Sequence, residues 1–182
     1  MNKKVNHQNI EDYSISEKDV QQYVLERFTD VKNSKMIKNL VNFQAMNKYM
    51  MMSHDQEESK KMGNIVASYK KKQLSEVIEK YEIHLKKGLE KHPTIKSHTN
   101  VIMHIFGYFS KQFTQYEKER YFELIEKYRE SQISLGNTLA EINPLVFRFN
   151  NTYLASQTYF LLYSNPQKEI LFQAINKKLT QN

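Results

Sequence analysis

The sequence contains no cysteine, which excludes a disulfide, a cysteine-ligated zinc, an iron–sulfur cluster held by this chain alone and a cysteine nucleophile. Four glycines and three prolines in 182 residues leave little material for the many tight turns of an all-β protein. Apolar runs long enough to cross a membrane are missing, and the opening segment MNKKVNHQNIEDYS lacks the apolar stretch of a secretory signal. These absences point to a cytoplasmic chain with no membrane attachment. There is also no glycine-rich phosphate loop, no paired-carboxylate motif, no internal repeat, and no strand-length run bounded by turn signals.

What is present is ordinary globular usage, 40% hydrophobic and 26% charged, at a length that suits one domain around one core. Residues 1–15 are polar and aperiodic and are expected to be a mobile leader, with 16–182 as a single all-α domain of seven or eight helices. Ser16, with Asp19 three residues on, reads as the cap of a first helix over 17–30 carrying Val20, Val24 and Phe28. Ser34 reads as the cap of a second, with Ile37, Leu40, Phe43, Asn47 and Met51 at helical spacing and a stop near 53–55. A third helix is expected over 57–69, ending in Lys70, Lys71 and Lys72. A fourth, over 75–91, lines up Val77, Ile78, Tyr81, Leu85 and Leu89, and Glu82 precedes Lys86 by four residues as a supporting pair.

The segment 94–113 is the most apolar of the chain and is expected at the centre of the bundle. Thr114 and Glu117 form a capping box for the next helix, whose Tyr121, Leu124, Ile125 and Tyr128 face inward. Gly136 reads as a break and Pro144 as a kink or restart. Further helices are expected over 153–163 and 168–179.

The net charge of +7 is concentrated in residues 60–96, where ten lysines stand against four acids. Such a surface draws phosphates or an acidic partner at long range, although a lysine-rich helix face is more often plain solvated surface. Asn100, His104, Tyr108 and Lys111 recur at i, i+4, i+8 and i+11, so a polar stripe runs along a helix that is otherwise hydrophobic. Either neighbouring helices satisfy it as a structural network, or it lines a ligand-binding cleft. Gly107 within that helix costs about 1 kcal/mol relative to alanine, which suggests the close approach of another backbone or a ligand. His98 and His104 are six apart and do not form a helical metal pair, so no metal or cofactor is expected. Ser53, His54 and Asp55 are adjacent and cannot adopt triad geometry. Met46, Met50, Met51 and Met52 fit a core helix better than a pliable binding surface.

Four segments carry a resemblance. KYMMMSHDQEESKKMGNIVA (48–67), HPTIKSHTNVIMHIFGYFSKQF (92–113), ELIEKYRESQISL (123–135) and TYLASQTYFLLYSNPQKEIL (152–171) resemble, in this order, the YbgA-like family of uncharacterised helical domains. Ser131 departs from the pattern, which has glycine after the Tyr128–Arg129 pair. The resemblance implies an all-α domain that is often fused behind an iron–sulfur domain of the thiouracil desulfurase type. It therefore also implies a stand-alone form here, with such a desulfurase as a partner in trans, and an associational link to nucleobase metabolism or DNA repair.

Its recurring residues weight the reading toward a cleft lined by Lys48, His54, His98, Asn100, His104 and Tyr108, with Arg129 adding charge. Three functions stay open at this point. The cleft binds a small anionic or nucleobase-like molecule such as a nucleotide; His54, His98 or His104 acts there as a general acid or base; or the 60–96 surface docks nucleic acid or an acidic protein.

Overall fold

The computed structural model describes residues 15–164. Within them lie nine α-helices and one short 3-10 turn: α1 (Glu17–Ser34), α2 (Ile37–His54), α3 (Gln56–Ala67), the turn Tyr69–Lys71, α4 (Leu74–Leu89), α5 (Ile95–Phe109), α6 (Gln115–Arg129), α7 (Leu135–Arg148), α8 (Thr152–Ala155) and α9 (Thr158–Tyr163). The described residues contain no strand, so the chain is all-α. Nearly all of the expected leader and the whole of the expected helix at 168–179 lie outside the described residues.

Local chemistry sets most boundaries. Ser16 and Asp19 close a reciprocal capping box on α1, and Thr114 and Glu117 close another on α6. Asp55 caps α3 by accepting from the amides of Glu57 and Glu58. Several boundaries differ from the sequence reading, α1 running on to Ser34 and α5 stopping at Phe109. Ser34 does not cap α2: it is the last residue of α1, its hydroxyl donates to the Val31 carbonyl, and Lys35 turns the chain in the left-handed region at φ 51°. α3 stops at Ala67, so the lysines at 70–72 follow it rather than close it. Gly136 does not break a helix, being the second residue of α7, which runs unbroken through Pro144. The segment 153–163 is instead divided at Ser156 and Gln157 into α8 and α9, which brings the helix count above the seven or eight expected.

α2, not α5, is the hub. It packs against α1, α3, α4, α5 and α9, whereas α5 lies chiefly between α2 and α6. The reason is visible in the residues. From Tyr49 to His54 every side chain of α2 is buried, with no charged residue among Tyr-Met-Met-Met-Ser-His to demand solvent. α5 buries His98, Val101, Ile102, Ile105 and Phe109 but must leave its polar stripe outward. Beside α2, the rings of Phe28, Phe43 and Tyr81 pack together with centroids 5.5–6.1 Å apart, joining α1, α2 and α4, and the Tyr81 hydroxyl donates to Gln44 at 2.6 Å.

α4 reaches α2 and α3 closely because Gly88 has no side chain: a Cβ there would lie 2.6 Å from the Met51 Cε and 3.4 Å from the Glu58 Cβ. The same contact places Glu58, almost fully buried, beside Lys61 (2.8 Å), His84 (2.6 Å) and Lys87 (3.0 Å). Burial alone would push its carboxyl up, but the hydrogen bonds from these three groups outweigh it and hold the pKa at about 2. Much of the positive charge of residues 60–96 is thus answered internally, since Lys86 also pairs with Glu82 and Lys91 with Asp55.

The departure at Ser131 acquires a structural meaning. α6 ends in a Schellman motif, the Gln132 amide donating to the Lys127 carbonyl and the Ser131 amide to that of Tyr128, with Ser131 at φ 58°. A left-handed serine costs about 1 kcal/mol that glycine escapes, and glycine's extra freedom in the unfolded chain returns part of it. Ser131→Gly is therefore expected to raise the unfolding free energy by about 0.5 kcal/mol in urea titrations. An unchanged or lowered value would show that the serine side chain stabilises this turn.

Candidate functional site

α2 and α5 run antiparallel, and polar and aromatic side chains collect at two places along their seam. The first lies where the end of α2 meets the start of α5 and the last turn of α9. His54 Nδ1 is 2.7 Å from the Lys91 carbonyl, which can only accept, so Nδ1 carries the hydrogen. Nε2 then stands 3.0 Å from the Tyr163 hydroxyl, itself 3.2 Å from Glu17, while Nε2 and the Glu17 carboxyl are 3.5 Å apart. Burial pushes the Glu17 carboxyl up and the His54 imidazole down, and the nearby His92 lowers the imidazole further. The Tyr163 hydroxyl donates its one hydrogen to the Glu17 carboxyl.

His98 adjoins this trio. Its Nδ1 is hydrogen-bonded to the hydroxyl of the fully buried Tyr159 at 2.8 Å, and its ring meets Tyr163 edge-on with centroids 5.1 Å apart. Burial, reinforced by repulsion from His54, holds its pKa down at about 4, so it is neutral at physiological pH.

The second place is half open to solvent. Tyr108 is 39% exposed and stacks on Tyr153 at 5.8 Å between centroids, and Tyr153 meets Tyr49 edge-on at 6.3 Å. Burial and the Tyr108 neighbour push the Tyr49 hydroxyl well above the usual phenol range. The exposed Lys48 reaches over the Tyr49 ring at 5.8 Å. Along α5, His104 is exposed one turn from Tyr108, and Asn100, one turn further, donates to Gln56 at 3.1 Å. Lys111 is exposed beyond them.

The residues read from the sequence thus divide. His54 and His98 come together in the interior. Asn100, His104 and Tyr108 follow one stripe of α5 and Lys48 stands exposed on α2 over the Tyr49 ring, and none of the four bonds to the two histidines. Arg129 joins neither group, pairing with Glu126 on the exposed side of α6. Nor does a neighbouring backbone crowd Gly107, where an added Cβ would meet no protein atom within 4 Å. Sequence reading passed over Glu17, Tyr49 and Tyr163, and nothing in their local pattern separates them from capping and core residues.

Gln157 ties the two places to one frame. Almost fully buried, it donates to the Ala45 carbonyl at 2.8 Å and accepts from the Tyr49 amide at 3.4 Å, two groups four residues apart in α2. Thr158 donates beside it to the Met46 carbonyl at 2.9 Å. These bonds seat α8 and α9, and with them Tyr153, Tyr159 and Tyr163, against α2.

An all-α domain centred on a buried Tyr-Met-Met-Met-Ser-His helix end is the class that these observations define. Residues 48–164 match the family described as "Protein of unknown function (DUF1722)", and the chain belongs to that family. It is similar to the "Uncharacterized protein YbgA" of Escherichia coli (strain K12), with 28% identity over 125 residues that cover 68% of this chain and 74% of that protein. No solved structure matches the chain.

Proposed function

We propose that the chain binds a small planar molecule, anionic or nucleobase-like, on the outward face of α5. The observation that carries this reading is the stripe Asn100, His104 and Tyr108 beside an uncrowded Gly107, with the exposed Lys48 of α2 over the Tyr49 ring that adjoins Tyr153. From Asn100 to Tyr108 the face extends roughly 12 Å, the length of a nucleotide. Tyr108, backed by Tyr153, offers a ring on which a base stacks. Lys48 supplies charge, while Asn100, Gln56 and His104 read polar edges. This glycine, exposed in the last turn of α5, has no packing reason in this fold, and its missing side chain lets a flat ligand lie against the α5 backbone.

Thermal-shift and calorimetric titration with nucleobases and nucleotides tests this. A hit is expected whose affinity falls at least tenfold in Tyr108→Ala and in His104→Ala, both folded. Gly107→Ala separates ligand from fold: with no neighbour to meet, it should stabilise the free protein by about 1 kcal/mol while weakening the hit. Binding that is indifferent to all three substitutions overturns the reading.

A second reading makes the chain an enzyme, and the Glu17–Tyr163–His54 cluster favours it, because a proton taken up at Nε2 turns His54 from base to acid. Turnover lost in Glu17→Gln while ligand affinity is kept would distinguish it from pure binding. A desulfurase-type partner would then contribute the cluster chemistry that a cysteine-free chain lacks. A cytoplasmic setting and a role in nucleobase metabolism or DNA repair accord with such ligands and rest on the family resemblance.

A further inference from the structure

The lysines at the opposite end of the molecule are not paired as those around Glu58 are. A groove of about 390 Å³ lies where α1 gives way to α2 and the 3-10 turn to α4. Three of its lining residues are Lys35, Lys38 and Lys72, all exposed, and none is an acid. No ion pair forms at any of the three among the described residues. Lys32, one turn before Lys35, is by contrast taken up by Glu82 at 3.0 Å. The floor is apolar: Met36 is 54% exposed, and Ile37, Tyr69 and Leu74 are partly so. The first turns of α2 and α4 line the groove without a side-chain cap, so both helix dipoles add to its positive potential. The adjoining hollow of about 450 Å³ differs, because Glu79 and Glu82 enter its lining beside Lys32 and Lys35.

We infer that this groove is a second binding site, for a small amphipathic anion: an alkyl or aryl body on the Met36–Leu74 floor, with a phosphate or carboxylate between Lys35, Lys38 and Lys72. Charge complementarity selects the head group, since three lysines and no carboxylate surround it. Size selects a small molecule, since the volume is that of a ligand pocket. Met36 stands exposed beside these cations, and the Tyr69 ring, packed on the core by one side, leaves its other side to the groove. The inference does not depend on the α5 face.

Decyl phosphate, kept below its micellar concentration, is the probe, followed by calorimetry and by protein NMR. Saturable binding is expected, with shifts confined to residues around 35–38, 69 and 72–77 and weakening with added salt. Inorganic phosphate and the neutral decyl maltoside should each bind at least tenfold more weakly, because each supplies half of the recognition. The Lys35→Ala/Lys38→Ala/Lys72→Ala variant, whose changes are all on the surface, should lose affinity at least tenfold at unchanged melting temperature, and Leu74→Asp should lose it through the floor. Decyl phosphate bound equally by the triple-lysine variant, or decyl maltoside bound equally by the unaltered protein, overturns the inference, as does perturbation mapping elsewhere.

Discussion

Lowering the pH from 7.5 to 4.5 is expected to remove about 2.5 kcal/mol of folding stability through His98 alone. In the unfolded chain this imidazole takes a proton near its ordinary 6.5, while in the fold burial holds it at about 4. Between those values the unfolded state binds the proton and the native state does not, so stability falls as pH falls through the window and is complete above it. His54, lowered in the same direction, adds to the loss. Glu17 opposes part of it, because its raised folded pKa lets the native state take up a proton before the unfolded chain does. Glu58, held at about 2, acts in a separate window, its contribution being lost only as pH falls below 4.5. Urea unfolding of the protein and of His98→Phe at several pH values checks the assignment. The phenylalanine strands the Tyr159 hydroxyl and so costs stability at every pH, but it should flatten the slope between 6.5 and 4. An unflattened slope would mean that His98 titrates near its ordinary value and is not desolvated as the geometry requires.

The all-α fold was legible because it rests on local signals: the capping boxes at Ser16 and Thr114, and the 3.6-residue spacing of Val77, Tyr81, Leu85 and Leu89. The identity of the central helix was not. Apolar content pointed to 94–113, but which helix is surrounded depends on how many neighbours it meets, and α2 qualifies by lacking Lys, Arg, Asp and Glu from Tyr49 to His54. Ser34 failed as a cap for a related reason, its hydroxyl being drawn back to the Val31 carbonyl of its own helix. Periodicity placed Asn100, His104 and Tyr108 on one stripe but could not say that the stripe faces outward. Still less could it bring Glu17 to His54 across the bundle, because that pairing exists only once α9 is seated by Gln157. Glu17 reads locally as an acid in a first helical turn, and only tertiary contact gives it a second role.

Gly88→Val is expected to cost about 3 kcal/mol, although a glycine within a helix ordinarily invites replacement. At Gly107 that rule holds, since nothing lies within 4 Å; at Gly88 the new Cβ would sit 2.6 Å from the Met51 Cε. A methionine tip would normally swing aside cheaply. Met51 is only 1% exposed, however, in the fully surrounded part of α2, so its terminal methyl has no free space to enter. The remaining response is for α4 to move away from α3, which draws His84 and Lys87 off the Glu58 carboxylate and exposes a second loss. Shortening the opposing side chain should relieve the first effect: Met51→Leu, nearly neutral by itself, is expected to recover at least about 1 kcal/mol of the Gly88→Val cost in a double-mutant cycle. The acid limb of the stability profile reports on the second, because a loosened Glu58 would lose its protection at a higher pH in Gly88→Val than in the parent. A cost under about 1 kcal/mol, with no coupling to Met51, would mean that α4 does not approach the hub as closely as Gly88 permits.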